Sequence, residues 1–132
     1  IMKSLVVEDE FLNRKILSLL LDPHGLVDVA VSGAEAREAL RIALEEGEPY
    51  DLICLDIGLP DADGQQLLRE IREAEESRGI HPHEAARVFM VTSQGDIENV
   101  RRAFANECDG YLVKPVDRDS FEAQLREVGL IP

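Results

Sequence analysis

Tryptophan is absent from this 132-residue chain, and aromatic side chains make up only 5% of it. Cysteine is nearly as scarce. Cys54 lies inside an apolar run and Cys108 just before a turn, which gives no disulfide framework and fits a reducing, cytoplasmic setting. Cationic side chains are in the minority, 14 against 27 acidic ones, for a net charge of -13. A broad basic face is thereby excluded, so no contact with nucleic acid is expected, and the acidic surplus reads as solubility. Long hydrophobic runs are missing as well. Nothing approaches the roughly 18 residues of a membrane helix, and residues 1–10 lack the basic, apolar, small-residue order of a secretory signal. Internal repeats and low-complexity tracts are also absent. The length fits one domain over residues 1–132, with enough chain to bury its own core.

What is present is an alternation of two periods. Ser4-Leu5-Val6-Val7 reads as a strand, followed by Leu12, Ile16, Leu19 and Leu20 at helical spacing. Val27, Val29 and Val31 then alternate with Asp28 and Ala30, as on a half-exposed edge strand. Ser32 and Glu35 form a capping box, which opens a helix striped by Ala36, Ala39, Leu40, Ala43 and Leu44 and closed by Gly47 and Pro49. A third strand, Leu52-Ile53-Cys54-Leu55, precedes Gly64 and a helix with Leu67, Leu68, Ile71 and Ala74. Residues 77–86 form a long polar connection. The strand Val88-Phe89-Met90-Val91 leads to a helix marked by Ile97, Val100, Ala103 and Phe104. Gly110 introduces the strand Tyr111-Leu112-Val113, and Asp117 caps a last helix with Phe121, Leu125 and Val128. Five strands alternating with five helices predict right-handed βαβ units, hence an α/β fold with a doubly wound parallel sheet. The edge-like second strand belongs outside the first, giving the order 2-1-3-4-5.

The chemistry sits where these strands end. Glu8-Asp9 follows the first, Asp56 the third, Thr92-Ser93 the fourth and Lys114-Pro115 the fifth. Open α/β sheets hold ligands at that edge, and the predicted order places Glu8, Asp9 and Asp56 at the switch point between the first and third strands. Three converging carboxylates repel and require compensation. Lys114 supplies one charge, and an oxygen-ligated divalent cation supplies more. Mg²⁺ suits carboxylates such as Asp9 and Asp56 with a carbonyl such as that of Gly58, whereas the lack of histidine and cysteine at these ends disfavours zinc. A carboxylate beside Mg²⁺, with a lysine and a threonine hydroxyl aimed at it, is equipped for nucleophilic phosphoryl transfer that leaves an aspartyl phosphate on Asp56.

Glu8-Asp9, Asp56 with Pro60 and Gly64, Thr92, Tyr111 and Lys114-Pro115 occur in the order of the motifs of a two-component response regulator receiver domain. The chain resembles that family over essentially its whole length, and the resemblance is closest to single-domain chemotaxis receivers, whose flavodoxin-like sheet has the 2-1-3-4-5 order. It implies that Asp56 accepts a phosphoryl group from a sensor histidine kinase or phosphotransfer protein, in a reaction the domain catalyses for itself without being an enzyme. It implies Mg²⁺ held by Asp9, Asp56 and the Gly58 carbonyl, with Glu8 assisting through water. Thr92 and Lys114 would hold phosphoryl oxygens, the Lys114-Pro115 bond would be cis, and Thr92 and Tyr111 would form the switch. The implied partners are the kinase, an unknown downstream protein reached through the fourth helix, fifth strand and fifth helix, and a phosphorylation-dependent homodimer. Membrane contact is not implied. The few residues after the last helix leave no room for an effector domain, so output is expected through a partner unless the chain continues in a longer protein. Two features depart from the common pattern. Leu59 stands where many relatives carry methionine, and Gly58 leaves the second position after Asp56 without a side chain, so Gln94 bears on the lifetime of the phosphoryl group.

Taken singly, these residues have plainer readings. Glu8-Asp9 is a helix-capping acidic turn, Asp56 a turn residue, Thr92 and Ser93 helix caps, Lys114 a solvated cation, and Tyr111 an edge residue with its hydroxyl in water. Their joint placement at one edge favours the site. His81 and His83 lack further ligands and read as a surface loop. Asp61-Ala62-Asp63-Gly64 has its glycine misplaced for a calcium loop. A haloacid-dehalogenase-type phosphatase needs an aspartate where Gly58 stands, and a flavodoxin-type cofactor module is disfavoured by Glu8-Asp9 after the first strand. The remaining alternative is a pseudo-receiver, an unphosphorylated module that docks partners by its surface.

Overall fold

The apolar runs pair as parallel strands. The computed structural model describes residues 1–132 as β1 (Met2–Val7), α1 (Phe11–Leu21), β2 (Gly25–Ala30), α2 (Gly33–Glu45), β3 (Leu52–Leu55), α3 (Gly64–Ser77), β4 (Arg87–Thr92), α4 (Ile97–Ala105), β5 (Gly110–Val113) and α5 (Arg118–Glu127). A short 3₁₀ turn, Asp22–His24, separates α1 from β2. The sheet order is β2-β1-β3-β4-β5, parallel throughout, as the alternation predicts.

Successive strand residues face opposite sides, and the core divides accordingly. Leu5, Val7, Ile53, Leu55, Val88 and Met90 pack with Ala36, Ala43, Leu67, Leu68, Ile71 and Ala103 on the side of α2, α3 and α4. Val6, Leu52, Cys54, Phe89 and Val91 pack with Leu17, Leu20, Leu21, Phe121 and Leu125 on the side of α1 and α5. Phe89 and Phe121 meet edge to face at 6.1 Å, worth about 0.5–1.5 kcal/mol beyond their buried area. Both cysteines are free and buried, and burial pushes each thiol up to about 12.

Three helical and strand faces differ from their sequence patterns. In α1 the buried stripe is Leu17, Leu20 and Leu21, whereas Leu12 and Leu19 are exposed. The run Ile16–Leu21 is apolar nearly all round, so periodicity does not choose a face, and docking on β1 does. At β2 and just beyond it, Val29 and Val31 are exposed, Val27 is half-buried on the α1 side and Ala30 is buried on the α2 side, because an edge strand lies at the rim of both helical layers. In α4, Ala103 is buried but Ile97 and Phe104 lie in solvent. That helix is seated on one small side chain.

The caps follow local chemistry. Ser32 Oγ accepts from the Glu35 amide at 3.2 Å, while Glu35 accepts from Val31 N at 2.9 Å. Asp63, Asp96 and Asp117 cap α3, α4 and α5. The acidic loop after β3 is thus a capping device. Asp61 accepts from Gly33 N (2.7 Å) and Ala34 N (3.1 Å) at the start of α2, and those amides hold its carboxyl below the usual range.

Candidate phosphoacceptor site

Strand register brings the site together. Val7 lies opposite Leu55, Leu55 opposite Met90 and Thr92 opposite Val113. Glu8 and Asp56 therefore leave the sheet at one level, and Thr92 and Lys114 follow one and two residues further along the same edge. The ladder continues one step past the strands: Glu8 N donates to Ala30 O (3.0 Å), Asp56 N to Val7 O (3.2 Å) and Lys114 N to Thr92 O (2.9 Å). The Lys114-Pro115 bond is cis, as the resemblance implied. Gly64 is required by close approach, because a Cβ there would lie 2.2 Å from Asp56 O and 2.6 Å from Ile57 Cα. α3 can therefore begin directly behind the acidic residue.

At the centre, Lys114 Nζ donates to Asp56 Oδ2 at 3.0 Å and also to Glu8 Oε1. Asp56 Oδ1 accepts from Gly58 N at 3.2 Å, and Glu8 Oε2 from Glu10 N at 3.1 Å. Burial raises the Glu8 carboxyl above its ordinary value, against the lowering by Lys114. Burial works to lower the Lys114 ammonium, but its bonds to Glu8 and Asp56 outweigh that and hold it above its usual value. Asp9 is exposed, yet one oxygen from each of Glu8, Asp9 and Asp56 lies within 4.8 Å of the others. The Arg14 guanidinium donates to the carbonyls of Glu8 (3.0 Å) and Asp9 (3.2 Å) and fixes that turn. The donor set is all oxygen, which fits a hard cation such as Mg²⁺ and not zinc.

Thr92 is fully buried, and its Oγ1 accepts from Gln94 N at 3.2 Å. It does not cap α4, since Asp96 does. Tyr111 is half-buried and donates its hydroxyl to Gln94 O. Burial raises its phenol above the ordinary value. Gln94 reaches back over Gly58, where an added Cβ would meet its Nε2 at 3.3 Å. His81 and His83 stack on each other at 4.7 Å, away from this edge.

Two networks escaped the sequence. Arg72 joins Glu75 Oε1 (2.7 Å), Asp109 Oδ2 (2.8 Å) and the carbonyls of Ala86 (2.8 Å) and Glu107 (2.8 Å) at the opposite end of β4. Only the three-residue spacing of Arg72 and Glu75 was visible, because Asp109 arrives from another element. The second network ties Gln65 to Asn99 and Gln94. A glutamine next to Gly64 carries no signal of burial.

Fold and donor set together define a flavodoxin-like α/β domain with an acidic, oxygen-only site and a lysine across it. The profile of the response regulator receiver domain matches residues 4–126, and the chain belongs to that family of two-component signalling domains. It is 34% identical over 130 residues to hybrid signal transduction histidine kinase L of Dictyostelium discoideum, covering 96% of this chain and 7% of the kinase. It is 31% identical to the chemotaxis protein CheY of Halobacterium salinarum, covering 94% of this chain and 92% of that protein. Among solved structures, a chain of the CheX-CheY-BeF₃-Mg²⁺ complex from Borrelia burgdorferi superposes with a TM-score of 0.79 at 25% identity, covering 96% of this chain and 88% of that one. The chain thus spans a small fraction of the hybrid kinase and nearly all of the chemotaxis protein. None of its helices is long and apolar enough to cross a membrane.

Proposed function

We propose that residues 1–132 form one receiver domain that takes a phosphoryl group from a histidine kinase or phosphotransfer protein onto Asp56, with Mg²⁺, and so switches a partner-binding surface. The observation that carries this reading is the Lys114 ammonium, 3.0 Å from Asp56 and shared with Glu8, beside three gathered carboxylates. In this reading the Asp9 and Asp56 carboxylates and the Gly58 carbonyl hold Mg²⁺, with Glu8 acting through water. Bound there, the cation supplies positive charge for the oxygens of the phosphoryl group in flight. A carboxylate oxygen of Asp56 attacks phosphorus in line. The new O–P bond forms as the P–N bond to the donor imidazole breaks, and the electron pair leaves on that nitrogen. Lys114 and the Thr92 hydroxyl steady the phosphoryl oxygens. Catalysis serves the domain's own modification, so the protein is a phosphoacceptor and not an enzyme on a free substrate. A downstream protein, and a homodimer that depends on phosphorylation, are the partners of the switched state. A cytoplasmic location without nucleic-acid or membrane contact belongs to the same reading.

The relative solved with beryllofluoride and Mg²⁺ supports this chemistry. The test is incubation with acetyl phosphate and Mg²⁺, followed by intact-mass measurement. One phosphoryl group per chain is expected, lost in Asp56→Asn and on chelating the metal. Incorporation that survives either change refutes the assignment.

A further inference from the structure

Gln65 is the second residue of α3 and is fully buried, an unusual place for a primary amide. Its Nε2 donates to Asn99 O at 2.9 Å in the first turn of α4. Its Oε1 is also buried and has no partner. A buried unsatisfied acceptor costs as much as a single hydrogen bond contributes, or more. Stability therefore does not explain the side chain, whereas position does.

The contact continues toward the site. Asn99 Nδ2 donates to Gln94 Oε1 (3.3 Å) and Asp96 Oδ1 (2.8 Å). Gln94 in turn bonds Thr92 through its amide and Tyr111 through its carbonyl. A continuous chain of hydrogen bonds thus runs from α3 to the loop between Thr92 and Asp96. Ala103 is the one fully buried side chain of α4, so beyond the local Asp96 cap little but the Gln65 contact ties its first turn to the rest of the domain.

We infer that Gln65 is a positioning residue whose buried carboxamide clasps the first turn of α4 and, through Asn99 and Gln94, holds the Thr92–Asp96 loop in its unphosphorylated place. The inference rests on the reading that Asp56 is the phosphoacceptor. When the Thr92 hydroxyl moves toward a phosphoryl oxygen, Gln94 is drawn away from Asn99 and the clasp opposes the movement. Removing one hydrogen bond of ordinary net strength shifts that balance about five-fold.

Gln65→Met keeps the volume and removes both the donor and the orphan acceptor. Its urea midpoint is expected to equal or exceed the parent's. With Mg²⁺ it should bind beryllofluoride about five-fold more tightly. Without any phosphoryl mimic, its Asn99 and Val100 amides should exchange about five-fold faster, and the Tyr111 amide resonance should move toward its beryllofluoride position. Asn99→Ala cuts the chain one link later and should tighten beryllofluoride binding in the same direction, which keeps the test open if Gln65→Met folds poorly. Lower stability with unchanged affinity and unchanged amides would make Gln65 merely structural and overturn the inference, as would weaker binding in either variant. A parent that takes no beryllofluoride sinks the phosphoacceptor reading instead, and the exchange measurement then decides the clasp alone.

Discussion

Lys114→Met isolates the electrostatics of the site, because methionine keeps most of the apolar stem and loses only the ammonium. Lys114 Nζ lies 3.0 Å from Asp56 Oδ2 and also bonds Glu8 Oε1, with the Glu8 side chain 1% exposed and the lysine 12%. Without the cation, carboxylate oxygens within 4.8 Å of each other repel by about 3.5 kcal/mol at an effective dielectric of ~20. Removing one partner of a buried ion pair costs about 3–5 kcal/mol by experience, which is the same size. Glu8 limits the loss by binding a proton. Burial already raises its carboxyl, and losing Lys114 raises it further. A carboxyl whose folded pKa exceeds its unfolded value favours the fold at low pH, and that contribution disappears as pH rises through the folded pKa. The deficit of Lys114→Met against the parent should therefore be about 1 kcal/mol at pH 5 and about 3 kcal/mol at pH 8. Equilibrium urea unfolding across that range, without divalent metal, reads it as a fall in midpoint at constant m-value. Mg²⁺ should restore part of the loss at pH 8. A deficit below about 1 kcal/mol at pH 8, or one equal at both pH values, would refute the role given to the lysine.

Two further outcomes follow from the same geometry. Mg²⁺ at ten times its dissociation constant should stabilise the parent by about 1.4 kcal/mol, read as a rise of a few degrees in Tm, and Asp9→Asn should lose most of that gain while slightly stabilising the metal-free protein. An undiminished Mg²⁺ response in Asp9→Asn would place the cation elsewhere. Thr92→Ala should cost about 1 kcal/mol from its lost turn bond and still accept a phosphoryl group, since Asp56, Asp9 and Lys114 remain. Its amides near Tyr111 should no longer respond to beryllofluoride, and parent-like shifts there would exclude the hydroxyl as the switch.

The order of elements was legible because each carries its own period and its own punctuation. Ser32, Asp117, Gly47 and Pro49 act on neighbours within a turn, and their effects survive any tertiary context. The same holds for the placement of Glu8, Asp56, Thr92 and Lys114 at strand ends, which needs only the strands and their direction. The edge position of β2 beside β1 was readable from its half-polar alternation, while the full sheet order drew in part on the resemblance to the receiver family.

Faces and distant partners were not legible. The leucine-rich α1 offers several stripes, and only its seat on β1 selected Leu17, Leu20 and Leu21. Ile97 and Phe104 of α4 fit a core pattern, but no layer covers them. Asp61 looked like part of a failed metal loop and instead caps α2, 28 residues earlier. That Lys114 answers the carboxylates was expected, but that it bonds Glu8 as well as Asp56, and that Gln65 meets Asn99 across 34 residues, was not. Local sequence determines which residues stand at the end of which strand, since that depends on short-range periodicity. Which of them share a proton, a cation or a hydrogen bond depends on strand register and helix docking, and the tertiary structure alone decided that.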